Sequence, residues 1–243
     1  MTALLLETAT EICSVAVWRD GQVLAEKVAA KSFQHAAMLN VYIDEVLRAA
    51  NVEPAQLEAI GLSEGPGSYT SLRVGAAMAK GLCFALPHVK LYPLSSLRAL
   101  ARAAYSSGIY GPVIATQNSR RNEVYASLYE HEADLRKSAC RAHADRPNEN
   151  AARALATDDP ILLDFFARHP EIAVSGSGSE KIKEALGRPS DRFLKDHLPV
   201  AANLGAELDA VISAGDEPAN VAAFEPMYLK PPFVTVPKNR SLL

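Results

Sequence analysis

The chain has 243 residues, 49% of them hydrophobic and 22% charged, with a formal net charge of -3. That length and apolar content can bury a substantial core, as one large domain or as two lobes. The acidic balance excludes a global cationic field of the kind that dominates phosphate-backbone binding, so any nucleic acid would be held mainly by a partner.

Cys13, Cys83 and Cys140 stand far apart without a C-x-x-C pair, which fits neither a disulfide framework nor a zinc ribbon and reads as reduced thiols. There is no basic n-region and no run of 18 uncharged apolar residues, so the expectation is a soluble cytoplasmic chain away from any membrane.

Three β-like segments open the chain: "ALLLET", "ICSVAVWRD" and "QVLAEKVAA", the last two separated by Asp20-Gly21, a strong hairpin signal. A helix follows in "SFQHAAMLNVYIDEVLRAANV", with Ser32 as its candidate N-cap. Met38, Tyr42 and Val46 run beside Leu39, Ile43 and Leu47, an apolar arc wider than one buried face needs. Two readings stand: a helix sandwiched inside its own domain, or one that docks on another subunit.

"LEAIGLS" then reads as a strand, "TSLRVGAAMAKGLCFAL" as a helix, "VKLYPL" as a strand and "SSLRALARAAYSSG" as a helix. The pattern is βββαβαβα. A second lobe is expected from residue 109, beginning with a hairpin of "VIATQN" and "NEVYASLYEHEA". "IAVSGSGSEKIKEAL" reads as strand, glycine turn and helix, "ANLGAELDAVISAG" as a helix, and the proline-punctuated tail carries Lys230, Lys238 and Arg240. No internal repeat is evident.

Known catalytic motifs are absent. There is no P-loop, "GPGSYT" puts Thr70 where a dinucleotide fingerprint needs its third glycine, and no serine sits in G-x-S-x-G. No two of the six histidines are three or four apart, so helical metal-site spacing is lacking, and His35 reads as a capping or surface residue. What remains is the glycine turn in "SEGPGSYTSLRVG". Gly65 and Gly67 permit close approach, Ser68 and Thr70 offer hydroxyls, and Arg73 lies one turn into the helix. Such a turn is either an anion cradle at a helix N-terminus or a tight turn with a helix cap.

"LLLETATEICSVAVWRDG", "GLSEGPGSYTSLRVGAAMAKGL", "SRRNEVYASLY" and "EPMYLKPPF", in this order, resemble the TsaB (YeaZ) family of bacterial tRNA threonylcarbamoyladenosine synthesis. The resemblance covers the chain to about residue 130 and again at 225 to 233. Its most specific part, "GPGSYTSLRVG", is close to the family pattern G-P-G-S-[FY]-T-G-[LV]-R-[IV]-G.

The resemblance implies an α/β fold of two ribonuclease-H-like lobes of the actin/hexokinase/Hsp70 (ASKHA) type, with mixed sheets flanked by helices. It gives a partner-binding first lobe at 1–108 and a second lobe at 109–243 ending in an extended tail. It implies a non-catalytic subunit pairing with TsaD, which transfers threonylcarbamoyl to N6 of adenosine 37 in tRNAs reading codons that begin with A. The ATPase TsaE joins the pair, tRNA is reached only through the complex, and a homodimer is the other partnership.

The implied nucleotide or anion turn comprises Glu7, Thr8, Thr10, Gly65, Pro66, Gly67, Ser68, Tyr69, Thr70 and Arg73. The implied subunit interface comprises His35, Met38, Leu39, Tyr42, Ile43 and Val46. Three departures stand out, Glu7 where many ASKHA proteins have Asp, Ala9 for a glycine of the first phosphate turn, and Asn118 for an Asp, and the last two argue against ATP hydrolysis. No cofactor is required, with ATP or ADP held weakly or at a subunit junction. The metal-binding H-x-x-x-H of TsaD falls near Ser96 and Leu100, so no metal is expected. The rival readings are a small-molecule kinase using "GPGSYT" for phosphate and Glu7 for Mg²⁺, and a metalloprotease lacking the histidines it needs.

Overall fold

Six residues, Thr2–Glu7, form strand β1, and all six are buried. A strand apolar on both faces needs a layer on each side, and this one is covered by helices above and below. β2 (Ser14–Arg19) pairs antiparallel with β1, and β3 (Gln22–Val28) returns after Asp20 and Gly21, whose φ values of 49° and 83° suit the tight hairpin expected of that pair. Helix α1 (His35–Ala49), a 3₁₀ turn at Pro54–Gln56, β4 (Ala59–Gly65), α2 (Tyr69–Ala85), β5 (Lys90–Ser95) and α3 (Ser96–Ser106) complete the βββαβαβα run.

The second half adds β6 (Val113–Asn118), β7 (Glu123–Tyr129), α4 (Asp134–Lys137), β8 (Arg153–Ala156), α5 (Pro160–Arg168), β9 (Ala173–Ser175), α6 (Ser179–Leu186), β10 (Phe193–Leu194) and α7 (Asn203–Ser213). This computed structural model describes residues 1–29, 35–137, 150–187, 192–194 and 197–231. The candidate cap Ser32, Cys140, Lys238 and Arg240 lie outside those residues.

Two five-stranded sheets result, in the orders β3-β2-β1-β4-β5 and β10-β9-β6-β7-β8. Each has a central strand flanked on one side by an antiparallel pair and on the other by two parallel crossovers. Read from β6, the second sheet repeats the strand order of the first. The duplication invisible in the residues is therefore present in the topology, because a sheet layer constrains apolar pattern far more than residue identity.

The last helix of each half crosses over. α3 follows the first sheet, yet Leu97, Leu100, Ala101 and Ala104 pack on Val113, Ala115, Tyr129 and Ala173 of the second. α7 follows the second sheet, yet Leu204, Leu208 and Val211 pack on Ala3, Leu5, Ala16 and Trp18 of the first. A boundary at 108/109 thus parts each of these helices from a sheet it covers, since each sheet has a second apolar face that the exchanged helix helps to bury, α3 also touching the first sheet through Ala99. The chain then continues along the first lobe: Ala219 N donates to Leu91 O at 2.8 Å, and Phe224 is buried beside α1 and α2.

Candidate functional site

The glycine turn after β4 lies directly on the turn after β1. Ser68 N donates to Ala9 O at 2.7 Å, and a Cβ on Gly67 would stand 2.1 Å from that same oxygen. Gly65 has a φ of 118° and precedes Pro66 through a cis peptide bond. Ser68 caps α2, its Oγ accepting from Ser71 N at 3.4 Å and from Ser71 Oγ at 3.0 Å. Arg73 donates to Tyr69 Oη at 2.9 Å and lies over the ring, while Thr70 is exposed. Of the two readings of this turn, the geometry favours the tight turn with a helix cap: the glycines admit a neighbouring backbone, the Ser68 N–H is taken by Ala9 O, and the Ser68 hydroxyl is spent on the first turn of α2.

Glu7 is 1% exposed at the end of β1. Its Oε1 accepts from Ala9 N at 2.7 Å and its Oε2 from Ser96 Oγ at 2.8 Å. Burial pushes its pKa up, against the lowering effect of those hydrogen bonds. Thr8 N donates to Ser63 Oγ at 2.9 Å, and Thr8 Oγ1 is buried without a hydrogen-bond partner. Thr10 Oγ1 accepts from Ile12 N at 3.3 Å, closing its own turn.

The turns after β1 and β4 face the β6–β7 hairpin of the second lobe across a cleft. A cavity of about 240 Å³ there is lined by Thr10, Glu11, Tyr69, Asn118, Arg120 and Tyr228, among others. A magnesium–nucleotide bridging such a cleft needs an accessible carboxylate for the metal and open N–H groups for phosphate. Glu7 is enclosed with both oxygens bonded, Asn118 carries no charge, and the Ser68 N–H is taken by Ala9. These residues do not fit that group.

Ser96 and Leu100, at the positions aligned with metal histidines, are likewise engaged: Ser96 by Glu7, and Leu100 in the core against the second sheet. Among the described residues no three His, Cys, Asp or Glu side chains converge as a metal site.

The expected interface residues of α1 turn inward. His35, Leu39, Tyr42, Ile43 and Val46 are each no more than 6% exposed and, His35 apart, pack in the first-lobe core with Val15, Val17 and Ala76. Both apolar stripes are used by the chain itself, because β2, β3 and α2 surround the helix on its wide side. His35 is a buried residue, not a surface one, and burial holds its imidazole below the usual range against hydrogen bonding from the backbone near Thr10 and Ile12. Of the expected interface residues only Met38 is half-exposed; on the same two helices Val41 is exposed and Val74, Met78 and Leu82 are half-buried.

A buried ionic group escaped the sequence reading. Glu207 of α7, 1% exposed, pairs with Arg98 at 2.8 Å and Arg102 at 2.9 Å, both on α3. Arg98 also donates to Leu135 O at 2.9 Å, tying the crossed helices to the second lobe. A signal was present: Glu207 stands three residues after Leu204 and four before Val211, a charge on an otherwise apolar stripe. Beside this group lies a larger cavity of about 480 Å³, bordered by Glu64, Tyr92, Ser127, Tyr129 and Met227.

The family model described as TsaD, tRNA N6-adenosine threonylcarbamoyltransferase, matches residues 22–223. The chain is 37% identical over 128 residues to the tRNA threonylcarbamoyladenosine biosynthesis protein TsaB of Haemophilus influenzae, covering 52% of this chain and 53% of that protein. For TsaB of Escherichia coli the identity is 30% over 132 residues, covering 54% and 56%. The chain thus matches about half the length of these relatives. A solved structure, YeaZ from Pseudomonas aeruginosa, superposes with a TM-score of 0.72 at 25% identity, covering 94% of this chain and 99% of that one. The chain therefore belongs to the TsaD family, and within it is similar to TsaB, the protein also called YeaZ.

Proposed function

We propose that this chain is a supporting subunit, without catalysis of its own, in the formation of N6-threonylcarbamoyladenosine at position 37 of tRNAs reading codons that begin with A. It binds the transferase TsaD in the cytoplasm, TsaE joins the pair, and tRNA is reached through the complex. Similarity to the TsaB proteins supports the pathway. The observation that supports the division of labour is the enclosed Glu7–Ser96 pair, which takes the carboxylate at the end of β1 out of reach of a metal.

Docking is assigned to the outer surface of α1 and α2, where Met38, Val41, Val74, Met78 and Leu82 form an apolar band. A second copy of the chain is the competing occupant of that band. Deleting the gene should abolish the modified nucleoside, read by mass spectrometry of digested tRNA, and tagged chain should retain TsaD in a pull-down. Normal nucleoside levels after deletion, or ATP turnover by the purified chain alone, would overturn the proposal.

A further inference from the structure

The "EPMYLKPPF" segment has no part in the role proposed above, yet it makes the contacts that span the cleft mouth. On the first lobe, Met227 N donates to Glu64 O at 2.8 Å, and the missing side chain of Gly65 leaves room for Met227 O. The Tyr228 ring packs on Tyr69 with centroids 4.6 Å apart, and Arg73 holds the Tyr69 hydroxyl. Two residues on, the chain reaches the second lobe, where Lys230 Nζ forms an ion pair with Glu123 of β7.

The receiving side is braced. Lys181 of α6 donates to Glu123 O at 2.8 Å and to Ser119 O at 3.2 Å, closing the hairpin tip between them. Tyr228, Leu229, Lys230 and Pro231 form a wall of the 240 Å³ cavity. Away from this mouth the lobes are already joined by α3, α7 and their ionic group. The cleft therefore has a buried junction and, at its mouth, a strap.

We propose that Met227–Lys230 is a releasable latch, an intramolecular strap that holds the lobes together across the cleft in place of a bridging ligand. Its anchors are suited to release. Tyr228 is 36% exposed and both partners of the Lys230–Glu123 pair are partly exposed, so the ion pair is weak and screened by salt. Closure remains favoured because the strap is tethered to the lobe it starts from, which makes its second contact intramolecular. Release would uncover the Tyr69 turn and the 119–122 hairpin tip together.

Hydrogen exchange on the full chain tests this. In wild type, raising ionic strength should speed amide exchange at 65–69 and 119–122 relative to the interiors of β1 and β4. Lys230→Met should raise exchange at both places about three- to five-fold at low salt, with the salt response gone. Glu123→Gln should do the same, and the double variant no more than either single one. Tyr228→Ala, which leaves the ion pair's residues intact, should also free both places. The latch is refuted by faster exchange confined to 227–231, by additive effects of Lys230→Met and Glu123→Gln, or by a salt response that survives Lys230→Met. Faster exchange throughout both lobes would equally refute it, since the segment would then be part of the global fold.

Discussion

Ser96 Oγ donates to Glu7 Oε2 across 2.8 Å, binding the end of β1 to the first turn of α3. The bond serves the packing of strand on helix.

Glu7→Ala should cost roughly 2–4 kcal/mol in urea unfolding, because it opens a cavity and leaves the Ala9 N–H and Ser96 O–H without their acceptor. Glu7→Gln keeps the shape and should cost less than about 1 kcal/mol. The pH dependence separates them further. Burial raises the folded pKa of Glu7 above its ordinary 4.5, so its contribution is fully present below pH 4.5 and is lost as pH rises through the folded value. The stability difference between Glu7→Gln and wild type should therefore move in favour of glutamine as pH rises above 4.5.

Gly67→Ala should destabilise the first lobe by several kcal/mol, since its Cβ would stand 2.1 Å from a backbone oxygen that cannot retreat without breaking the Ser68 N–H bond. Gly81→Ala, at an exposed interior position of α2 with nothing within 4 Å, should instead stabilise by about 0.5–1 kcal/mol. Paired thermal melts of the two variants check the sign of both effects.

Gly205→Ala reports on the crossed helix α7. Its Cβ would meet Trp18 Cε3 at 2.3 Å, so helix and indole must part, weakening the Trp18 Nε1 bond to Asp209. Because Trp18 is the chain's only tryptophan, fluorescence reads the change directly. Emission should shift to the red, with a loss of about 1–3 kcal/mol. Unchanged emission would contradict the packing of α7 on the first sheet.

Met38→Asp and Met78→Asp should leave the melting temperature within a few degrees of wild type while abolishing association through the α1–α2 band. Leu39→Ala, one residue away but 1% exposed, should behave oppositely and cost about 2–5 kcal/mol of stability. Size-exclusion chromatography with and without TsaD, beside thermal melts, distinguishes surface from core.

Much of the first lobe was legible because its signals are local. Asp20-Gly21 turns where a hairpin pair should, Ser68 caps where strand gives way to helix, and the βββαβαβα run follows from periodicity alone. The second lobe was less legible: α5 hides in "PILLDFFAR", where clustered apolar residues blur the helical period, and β8 and β10 are only four and two residues long.

The residues by themselves determined the elements of the first lobe, the lack of a P-loop or dinucleotide fingerprint, and the peculiarity of the glycine turn. Only the tertiary structure decided what those pieces do to one another. Whether the wide apolar arc of α1 faces a partner or its own core depends on how many layers surround it, and here both stripes pack inward except at half-exposed Met38. Whether Glu7 is a ligand or a bonded anchor depends on Ser96, 89 residues away. The exchange of α3 and α7 depends on each sheet having a second apolar face. Periodicity reports which side of a helix is buried; it carries no record of which sheet buries it, because that contact is made between segments far apart in the chain.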